Sequence, residues 1–377
     1  MNKSLVFQPK NIGNIVIKNR LVRSATYEGM ASEDGGVTDD LLNLYRKLAQ
    51  GGVGLIITSF SHVQQSGRGY LNQIGINRDD LVPDLSKLPN TVHKYGDDCK
   101  IAIQLVHCGR QSRLLDDTIA PSAVFEPVLK KMPREMTSEE VNGTIDAFVE
   151  AVRRAKEAGF DAIQLHAAHG YLLGEFLSPY TNRRSDEYGG SFENRFRIIN
   201  EIYKHSVDKV GLDYPIMVKM NVDDFVEHSI DLNESKKIAE RMSNIGFAAI
   251  ETSGGIMEAS TRSEEKLGRS IITASKRGID SKNEEAYYLP YAREIKKVID
   301  IPLILVGGIR SIDVIEKILL EGSADFVSLS RPLIREPDLP KRWFNGIGSS
   351  TADCISCNAC LSNVRTNKLR CMLLNNE

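Results

Sequence analysis

The chain has 377 residues, of which 41% are hydrophobic and 26% are charged, a mixture typical of a globular protein with ample material for a core. The formal net charge of −2 gives no reason to expect a nucleic acid or an anionic membrane as a partner. No apolar run approaches the roughly 20 residues of a membrane span, and the polar N-terminus does not resemble a signal peptide, so we expect a cytoplasmic protein.

Eight short apolar runs, rich in β-branched residues, alternate along the chain with amphipathic helical patterns. The predicted strands, in chain order, are residues 21–26, 53–60, 100–107, 160–167, 214–220, 247–254, 301–308 and 324–331. Runs that are nearly all apolar are typical of parallel strands covered on both faces. Ser138, Asn233 and Ser311 are the predicted N-caps of three of the intervening helices.

This alternation predicts an α/β protein with a (β/α)8 TIM barrel, with a doubly wound open sheet as the alternative. We favour the barrel because almost every predicted strand ends in polar or glycine residues. In a barrel these ends converge on one mouth, whereas in an open sheet they would be spread along an edge. We therefore predict a barrel over residues 1–345 and a short cysteine-containing segment over residues 346–377.

Two connections are longer than usual, residues 109–136 and residues 255–283. Long loops in a compact domain are usually functional lids or disordered segments. The second loop carries the basic residues Arg262, Lys266, Arg269, Lys276 and Arg277. Its composition fits a solvated basic loop slightly better than a flap over an anionic ligand.

A phosphate site is predicted after the last two strands. Gly307 and Gly308 lie between the seventh strand and a helix, where exposed backbone N–H groups and the helix dipole favour an anion. Arg331 follows the eighth strand as a charged clamp. Barrels most often hold phosphate at these two loops, so we expect a nucleotide, flavin or pyridoxal cofactor.

The stretch "HAAHGYLLGEFLSPYTNRRSDEYGGSFENRFR", residues 166–197, begins at the end of the fourth strand with His166, His169 and Tyr171. A histidine pair can bind a metal, bind an anionic oxygen or shuttle protons. The spacing is not that of the His-Glu-x-x-His zinc motif and no third ligand is evident, which argues against a metal. We expect the later part of the stretch, crowded with Arg, Asp, Asn and Glu, to form a hydrogen-bonded structural plug.

This stretch closely resembles the signature of the old yellow enzyme family of FMN-dependent ene-reductases. Residues 17–58 and "QLVHCGR" at 104–110 resemble it too, so that the resemblance covers essentially the whole chain. It implies an FMN-binding barrel with NAD(P)H as the electron donor. The chain is most similar to the branch containing 2,4-dienoyl-CoA reductase and trimethylamine dehydrogenase, which carries a four-cysteine segment after the barrel.

The resemblance also implies which residues contact FMN: Ser24, Ala25, Thr26, Tyr27, Gln104, Lys219, Gly307, Gly308, Ser330 and Arg331. Gln104 would hydrogen-bond the pyrimidine edge of the flavin. Lys219 would face N1 and the C2 carbonyl, where a cation stabilises the charge of the reduced flavin. Tyr27 departs from several relatives, which have Thr, Cys or His near the flavin C4 region. Its phenol would either alter the pocket or pack on the barrel rim.

For the reaction, the resemblance implies an ene-reductase acting on an α,β-unsaturated carbonyl or acyl compound. His166 and His169 would bind the carbonyl oxygen, flavin N5 would deliver hydride to the β-carbon, and Tyr171 would protonate the α-carbon. An amine dehydrogenase of the same family is a second reading, against which the histidine pair argues. A non-catalytic flavin and iron–sulfur electron-transfer subunit is a third.

Four of the six cysteines lie near the C-terminus with the spacing Cys-x2-Cys-x2-Cys-x10-Cys: Cys354, Cys357, Cys360 and Cys371. Four thiols so spaced suit a 4Fe-4S cluster, with tetrahedral zinc or metal-free thiols as alternatives. Cys99 and Cys108 are predicted to be inert packing residues.

Relatives with such a segment usually continue into a second half that binds FAD and NAD(P)H, and this chain contains no Gly-x-Gly-x-x-Gly segment. Either NAD(P)H reduces FMN directly, or an external electron-donor protein or reductase subunit passes electrons to the cluster. We expect the cluster and such a partner. The physiological substrate, the preference for NADH or NADPH, and a homo-oligomeric state are left open by the sequence.

Overall fold

Twelve strands and thirteen helices lie within residues 4–374, the part of the chain that the computed structural model describes. The strands are β1 (Lys10–Ile12), β2 (Ile15–Ile17), β3 (Leu21–Arg23), β4 (Leu55–His62), β5 (Lys100–Val106), β6 (Ile119–Ala120), β7 (Arg134–Glu135), β8 (Ala162–Ala167), β9 (Ile216–Asn221), β10 (Ala249–Ser253), β11 (Leu303–Leu305) and β12 (Phe326–Leu329). The helices are α1 (Asp39–Gln50), α2 (Val82–Leu85), α3 (Lys87–Tyr95), α4 (Ser138–Glu157), α5 (Leu172–Leu177), α6 (Phe192–Val210), α7 (Leu232–Ile245), α8 (Glu264–Leu267), α9 (Leu289–Lys296), α10 (Ile312–Leu320), α11 (Arg331–Arg335), α12 (Leu339–Phe344) and α13 (Ala359–Asn363).

Eight parallel strands close into a barrel in the order β3-β4-β5-β8-β9-β10-β11-β12, with β12 paired back to β3. The antiparallel hairpin of β1 and β2 precedes the barrel, and β6 and β7 form a small separate sheet within the first long loop. The predicted TIM barrel is therefore confirmed, and the open sheet is excluded. The predicted domain division at residue 345 stays a prediction.

Several strands are shorter than predicted at their carboxyl ends. β3 ends at Arg23, β11 at Leu305 and β12 at Leu329, so the polar and glycine residues that follow are loop residues at the barrel mouth. Gly307 and Gly308 have φ angles of +136° and +70°, which a continuing strand cannot adopt.

Two of the three predicted N-caps were misplaced. α4 is capped by Thr137, whose hydroxyl accepts from the Glu140 N–H while the Glu140 carboxylate accepts from the Thr137 N–H. Asp231 caps α7 and accepts from the Glu234 N–H. Both true caps lie three residues before a glutamate, which lets the caps satisfy free N–H groups of the first turn. Ser311 does occupy the N-cap position of α10.

The barrel interior changes from apolar to polar along the strands. Its apolar half lies near the amino ends and is closed by the hairpin; it includes Ile12, Ile17, Ala102, Ala162, Met217 and Ala249. Side chains two residues further along a strand point the same way. The next interior layer is buried and polar, formed by Gln104, Gln164, Lys219 and Glu251. This polar layer lies beneath the mouth.

Outside the barrel, the helices pack on the apolar outer faces of the strands in one continuous core. No helix between residues 4 and 374 is long and apolar enough to cross a membrane. The cytoplasmic location stays a prediction.

Candidate active site

A cavity of about 240 Å³ opens at the carboxyl ends of the barrel strands. The predicted site residues that line it are Ser24, Ala25, Thr26, Tyr27, His169, Lys219, Gly308, Ser330 and Arg331. The other predicted residues, Gln104, Gly307, His166 and Tyr171, are not among its lining residues but are linked to it by the contacts described below. One cavity thus brings together most of the residues predicted to hold a cofactor.

At one end of this mouth cavity, the backbone after β11 forms a cradle. A Cβ on Gly308 would lie 2.8 Å from the Tyr287 ring, and a Cβ on Gly307 would lie 3.1 Å from the Tyr288 ring. The Tyr287 N–H also donates to the Gly307 carbonyl at 3.1 Å. Only glycine fits at both positions, so the chain can turn tightly there and leave the cradle open for a ligand.

Arg331 lies at the same end, but one of its nitrogens is already engaged. Its Nη1 donates to the Asn358 side chain at 2.6 Å and to the carbonyls of Lys276 and Ser356 at 2.8 and 3.3 Å. These acceptors belong to the loop 255–283 and to the cysteine segment. Arg331 therefore ties both segments to the start of α11, a contact that the sequence did not predict. Its predicted role as a phosphate clamp stays a prediction.

Beneath the cavity lies a buried hydrogen-bonded network around Glu251. Ser24 and Ser328 donate to Glu251 Oε1 at 2.7 and 2.6 Å, and Gln164 Nε2 donates to Oε2 at 2.9 Å. Lys219 Nζ lies 3.3 Å from Glu251 Oε1 and donates to Ser24 Oγ at 3.0 Å. Lys219 and Ser24 thus reach the cavity already paired with a carboxylate.

Gln104 belongs to the same network through a second amide. Its Nε2 donates to Gln164 Oε1 at 2.7 Å. Sequence reasoning missed Gln164 and Glu251. The signal present for both was a polar side chain inside a run predicted to be a fully buried strand.

Beside the cavity, His169 is held by three hydrogen bonds. Its N–H donates to Asn221 Oδ1 at 3.0 Å, its carbonyl accepts from Gln111 Nε2 at 2.9 Å, and its Nε2 lies 2.7 Å from Ser253 Oγ. Its backbone has a left-handed φ of +60°, and these three hydrogen bonds hold that conformation in place.

His166 is held by its backbone neighbour: its Nδ1 accepts from the Ala168 N–H at 3.3 Å. That bond leaves His166 Nε2 as the nitrogen that carries the proton in the neutral ring.

His166, His169 and Tyr171 come together as predicted from the sequence. The ring centroids of the two histidines are 5.1 Å apart, and those of His166 and Tyr171 are 4.8 Å apart. Burial, with the nearby Lys219 charge, lowers the pKa of His169 to about 3 and moves the pKa of His166 in the same direction. Burial raises the pKa of Tyr171 well above its ordinary value. Both imidazoles are therefore neutral and the phenol is protonated at neutral pH.

An aromatic cluster of four rings adjoins the histidines: Tyr27, Phe60, Tyr70 and Tyr171. The Tyr27 ring centroid lies 4.5 Å from that of Tyr70 and 5.6 Å from that of Phe60, and Phe60 and Tyr171 are also 5.6 Å apart. Tyr27 both lines the mouth cavity and packs on the cysteine segment beside Cys360. Phe60 and Tyr70 were not singled out from the sequence, since isolated aromatic residues carry no positional signal.

The loop 255–283 forms part of the cavity wall through Ala274 and Ser275. Two of its five basic side chains are paired with carboxylates, Arg269 with Asp223 at 2.9 Å and Arg262 with Glu227 at 3.3 Å. The loop is thus more than a solvated connection, because it forms part of the cavity wall and these two arginines anchor it.

The cysteine segment also lines the cavity, through Ser356 and Leu361, and it contacts the loop 255–283 directly, because Asn358 Nδ2 donates to the Ser275 carbonyl at 2.8 Å. All four of its cysteines line one small cavity of about 20 Å³, together with Arg331 and Arg335. Each is a free thiol, and Arg335 Nη1 donates to Cys371 Sγ at 3.8 Å. Across residues 4–374, no group of three or more His, Cys, Asp or Glu side chains is arranged to hold a metal ion.

The other two cysteines are packing residues, as predicted. Cys99 and Cys108 are fully buried, away from the cysteine segment. Burial raises the pKa of Cys99 to about 12 and that of Cys108 further in the same direction, so that both stay thiols.

The predicted plug is also confirmed. Asn182 Nδ2 donates to the carbonyls of Phe176 and Tyr188 at 2.8 and 2.7 Å. Arg184 Nη1 donates to the carbonyls of Pro121 and Met136 at 3.0 and 2.6 Å. The plug thereby fixes the loop 109–136 to the segment that follows α5.

Comparison with known proteins shows that the chain matches a protein family. The sequence model of the NADH:flavin oxidoreductase / NADH oxidase family matches residues 5–349. The NADH oxidase of Thermoanaerobacter brockii is 40% identical over 358 residues, which cover 94% of this chain and 52% of that protein. The cysteine positions 354–371 lie beyond the residues that the family model matches.

The similar solved structures include a CoA reductase and an old yellow enzyme homologue. The complex of 2-naphthoyl-CoA reductase with 2-naphthoyl-CoA superposes with a TM-score of 0.87 at 28% identity, covering 98% of this chain and 57% of that one. The old yellow enzyme homologue from Zymomonas mobilis superposes with a TM-score of 0.74 at 28% identity, covering 93% and 95%. The chain therefore spans about half the length of the NADH oxidase and of the CoA reductase.

Proposed function

Because the chain belongs to the NADH:flavin oxidoreductase / NADH oxidase family, whose members are flavin-dependent oxidoreductases, we propose that it is an FMN-dependent ene-reductase. Its substrate is an α,β-unsaturated carbonyl or acyl compound, and NAD(P)H is the ultimate source of electrons. The observation that carries this proposal is the group formed by His166, His169 and Tyr171 beside a cavity suited to FMN.

Two features of the mouth cavity suit FMN. The cradle at Gly307 and Gly308, which a Cβ would obstruct, suits the phosphate. The buried ammonium of Lys219 suits the pyrimidine edge, where negative charge accumulates on reduction. When bound, FMN supplies a hydride at its N5 position. Ser24, Ala25 and Thr26 line the same cavity and would contact the flavin.

The histidine pair binds the carbonyl oxygen of the substrate. Because both rings are neutral, each can donate one N–H bond to that oxygen, and His166 donates from Nε2. This polarises the conjugated alkene and makes its β-carbon electrophilic. Tyr171, protonated and next to His166, donates the proton to the α-carbon.

We also propose that the four cysteines hold a 4Fe-4S cluster. All four thiols line one cavity. Their spacing, Cys-x2-Cys-x2-Cys-x10-Cys, suits the four thiolate ligands of such a cluster. Arg331 and Arg335 line the same cavity and offset the negative charge of four thiolates. Arg331 lines both this cavity and the mouth cavity, and Ser356 and Leu361, which line the mouth cavity, are each adjacent in sequence to a cysteine. This proximity offers a suitable path for electrons from an external donor.

Oxidation of an amine is a second candidate, and the aromatic cluster favours it. The faces of Tyr27, Phe60 and Tyr70 could hold a cationic substrate by cation–π attraction. An electron-transfer subunit without a substrate is the third candidate, and the same experiment separates all three.

The test is an anaerobic titration of FMN-loaded protein, followed through the visible flavin absorption. We expect NADH or NADPH to bleach the flavin and 2-cyclohexenone to restore its colour. Cyclohexanone, which lacks the alkene, is the matched control and should restore nothing. Bleaching by a tertiary amine with no reoxidation by the enone would support the amine dehydrogenase. Flavin that neither compound affects would support the electron carrier.

A further inference from the structure

Glu251 is a fully buried carboxylate at the centre of β10, beneath the mouth cavity. It accepts hydrogen bonds from Ser24, Ser328 and Gln164 and pairs with Lys219, and these partners come from four different parts of the barrel. Ser24, Ser328 and Lys219 all line the cavity, whereas Glu251 does not. The carboxylate is therefore placed to act on a bound ligand only through its partners.

The charge state of Glu251 follows from these contacts. Burial raises its pKa, but the Lys219 charge and the hydrogen bonds from Ser328, Ser24 and Gln164 outweigh burial, so the pKa lies below its ordinary value. Glu251 is thus ionised at neutral pH. An ionised carboxylate can only accept hydrogen bonds.

That restriction sets the orientation of the two side-chain amides that are hydrogen-bonded in series to Glu251, those of Gln164 and Gln104, which we call the amide relay. Gln164 must offer its Nε2 to Glu251, so its Oε1 is the atom that faces Gln104. Gln104 must then donate its own Nε2 to Gln164, which leaves Gln104 Oε1 as the acceptor of that side chain. A neutral, donating group at position 251 would reverse both amides.

The same carboxylate offsets the charge of Lys219. The two groups are 3.3 Å apart and almost fully buried, where electrostatic interactions are stronger than in water. A ligand that gains negative charge on reduction meets the ammonium of Lys219 partly neutralised by Glu251.

We propose that Glu251 is a positioning residue for the flavin. It orients Ser24 and Lys219 directly and Gln104 through Gln164, and its charge lowers the reduction potential of the bound flavin by offsetting Lys219. This rests on the proposed function, in which the mouth cavity binds FMN.

The test compares the FMN-loaded wild type with Glu251→Gln, which keeps the side-chain shape but removes the charge. Lys219 is then no longer offset and favours the reduced flavin. At a given potential we expect the ratio of reduced to oxidised flavin to rise about tenfold, a shift of about +30 mV for a two-electron couple. The midpoint is measured anaerobically against a reference dye. The dissociation constant of oxidised FMN, from quenching of its fluorescence, should rise about tenfold because the amide relay reverses.

Two further variants separate the charge from the relay. Gln164→Met breaks the relay but keeps Glu251, so we expect weaker FMN binding with a smaller shift in midpoint. Thr252→Val is the matched control on the same strand. Its hydroxyl donates to the Ile304 carbonyl outside the network, and neither quantity should change.

Each outcome bears on the inference. A Glu251→Gln protein with wild-type midpoint and wild-type FMN affinity would overturn it, while the enone titration could still support the reductase. If Glu251→Gln does not fold, unchanged FMN affinity in Gln164→Met overturns the relay. A wild-type chain that binds no FMN would overturn this inference together with the proposed function.

Discussion

The side chains beside the mouth cavity are set for their proposed roles mainly by burial. Desolvation disfavours the charged form of any group, so it keeps His166 and His169 neutral and Tyr171 protonated. A neutral imidazole pair can donate hydrogen bonds to a carbonyl oxygen without the cost of burying positive charge. A phenol with a raised pKa retains the proton that it must deliver.

Replacing Tyr171 by Phe tests this assignment. We expect the reoxidation of reduced flavin by 2-cyclohexenone to slow by about 100-fold or more, the usual contribution of a general acid. Reduction of the flavin by NAD(P)H needs no such proton and should stay close to the wild-type rate. Stopped-flow absorption under anaerobic conditions measures the two steps separately.

Tyr203→Phe is the control, because its hydroxyl donates to the Gly246 carbonyl at the protein surface, away from the cavity. Equal reoxidation rates in wild type and Tyr171→Phe would show that the proton comes from elsewhere.

At the scale of elements, the short helix α11 joins the two cavities. Arg331, its first residue, lines both the mouth cavity and the cavity of the four cysteines. It hydrogen-bonds the loop 255–283 and the cysteine segment together. Residues 354–371 therefore act as a wall of the active-site cavity as well as a candidate metal site.

If the proposed cluster is present, replacing a cysteine of the C-terminal segment should lower the iron and sulfide content, whereas replacing a packing cysteine should not. Anaerobically purified wild type should contain about four iron and four sulfide per chain. Cys357→Ala removes a ligand from an exposed position and should lose most of both. Cys108→Ala, which changes a buried packing residue, should keep its iron and sulfide.

Colorimetric iron and acid-labile sulfide assays, with zinc measured in parallel, distinguish an iron–sulfur cluster from a zinc site. Zinc without iron in the wild type, or equal iron in the two variants, would contradict the cluster.

At the scale of the whole molecule, four histidines whose pKa burial lowers contribute to the expected response to acid: the buried His62, His107 and His166 and the half-buried His169. Burial lowers the pKa of His62 to about 4 and that of His107 to about 3, against an ordinary value of 6.5. The unfolded chain binds these protons below pH 6.5, while the native chain does not. Their stabilising effect is complete above that pH and is lost as the pH falls toward the native pKa values.

Four buried carboxyl groups act in the opposite sense. Burial raises the pKa of Glu175 to about 8 and that of Asp224 to about 6, and it also raises the pKa of Glu28 and of Asp223. Their contribution to stability is complete below their unfolded pKa values and declines as the pH rises. The two sets of groups therefore oppose each other, and the effect of one histidine is measured by comparing the wild type with a variant.

We expect each buried histidine to lower the free energy of unfolding as the pH falls from about 6.5 to about 5, by up to about 1.4 kcal/mol per pH unit. Urea unfolding curves at several pH values, on wild type and on His62→Gln, measure this contribution. The wild type should lose more stability over this pH range than His62→Gln does. An equal loss in the two proteins would contradict the assignment.

Sequence reasoning reached most of the cavity because its residues follow directly from strand ends. Ser24, Gly308 and Ser330 lie at or near the carboxyl ends of the predicted strands, His169 closely follows one, and a barrel brings all such ends to one mouth. Glu251 and Gln164 lie in the middle of the runs, where the pattern indicates only a buried strand. Whether a buried polar side chain meets a partner depends on the strands across the barrel, which are distant in sequence.

By itself, the sequence determined the eight-stranded barrel, the group of His166, His169 and Tyr171, and the separation of two packing cysteines from the four near the C-terminus. These depend on local periodicity and on spacing along the chain. Only the tertiary structure decided that Glu251 pairs with Lys219, that Arg331 binds the cysteine segment, and that Tyr27 joins Phe60 and Tyr70. These contacts join residues far apart in the chain, and they form only when the closed barrel and its two covering segments bring those residues together.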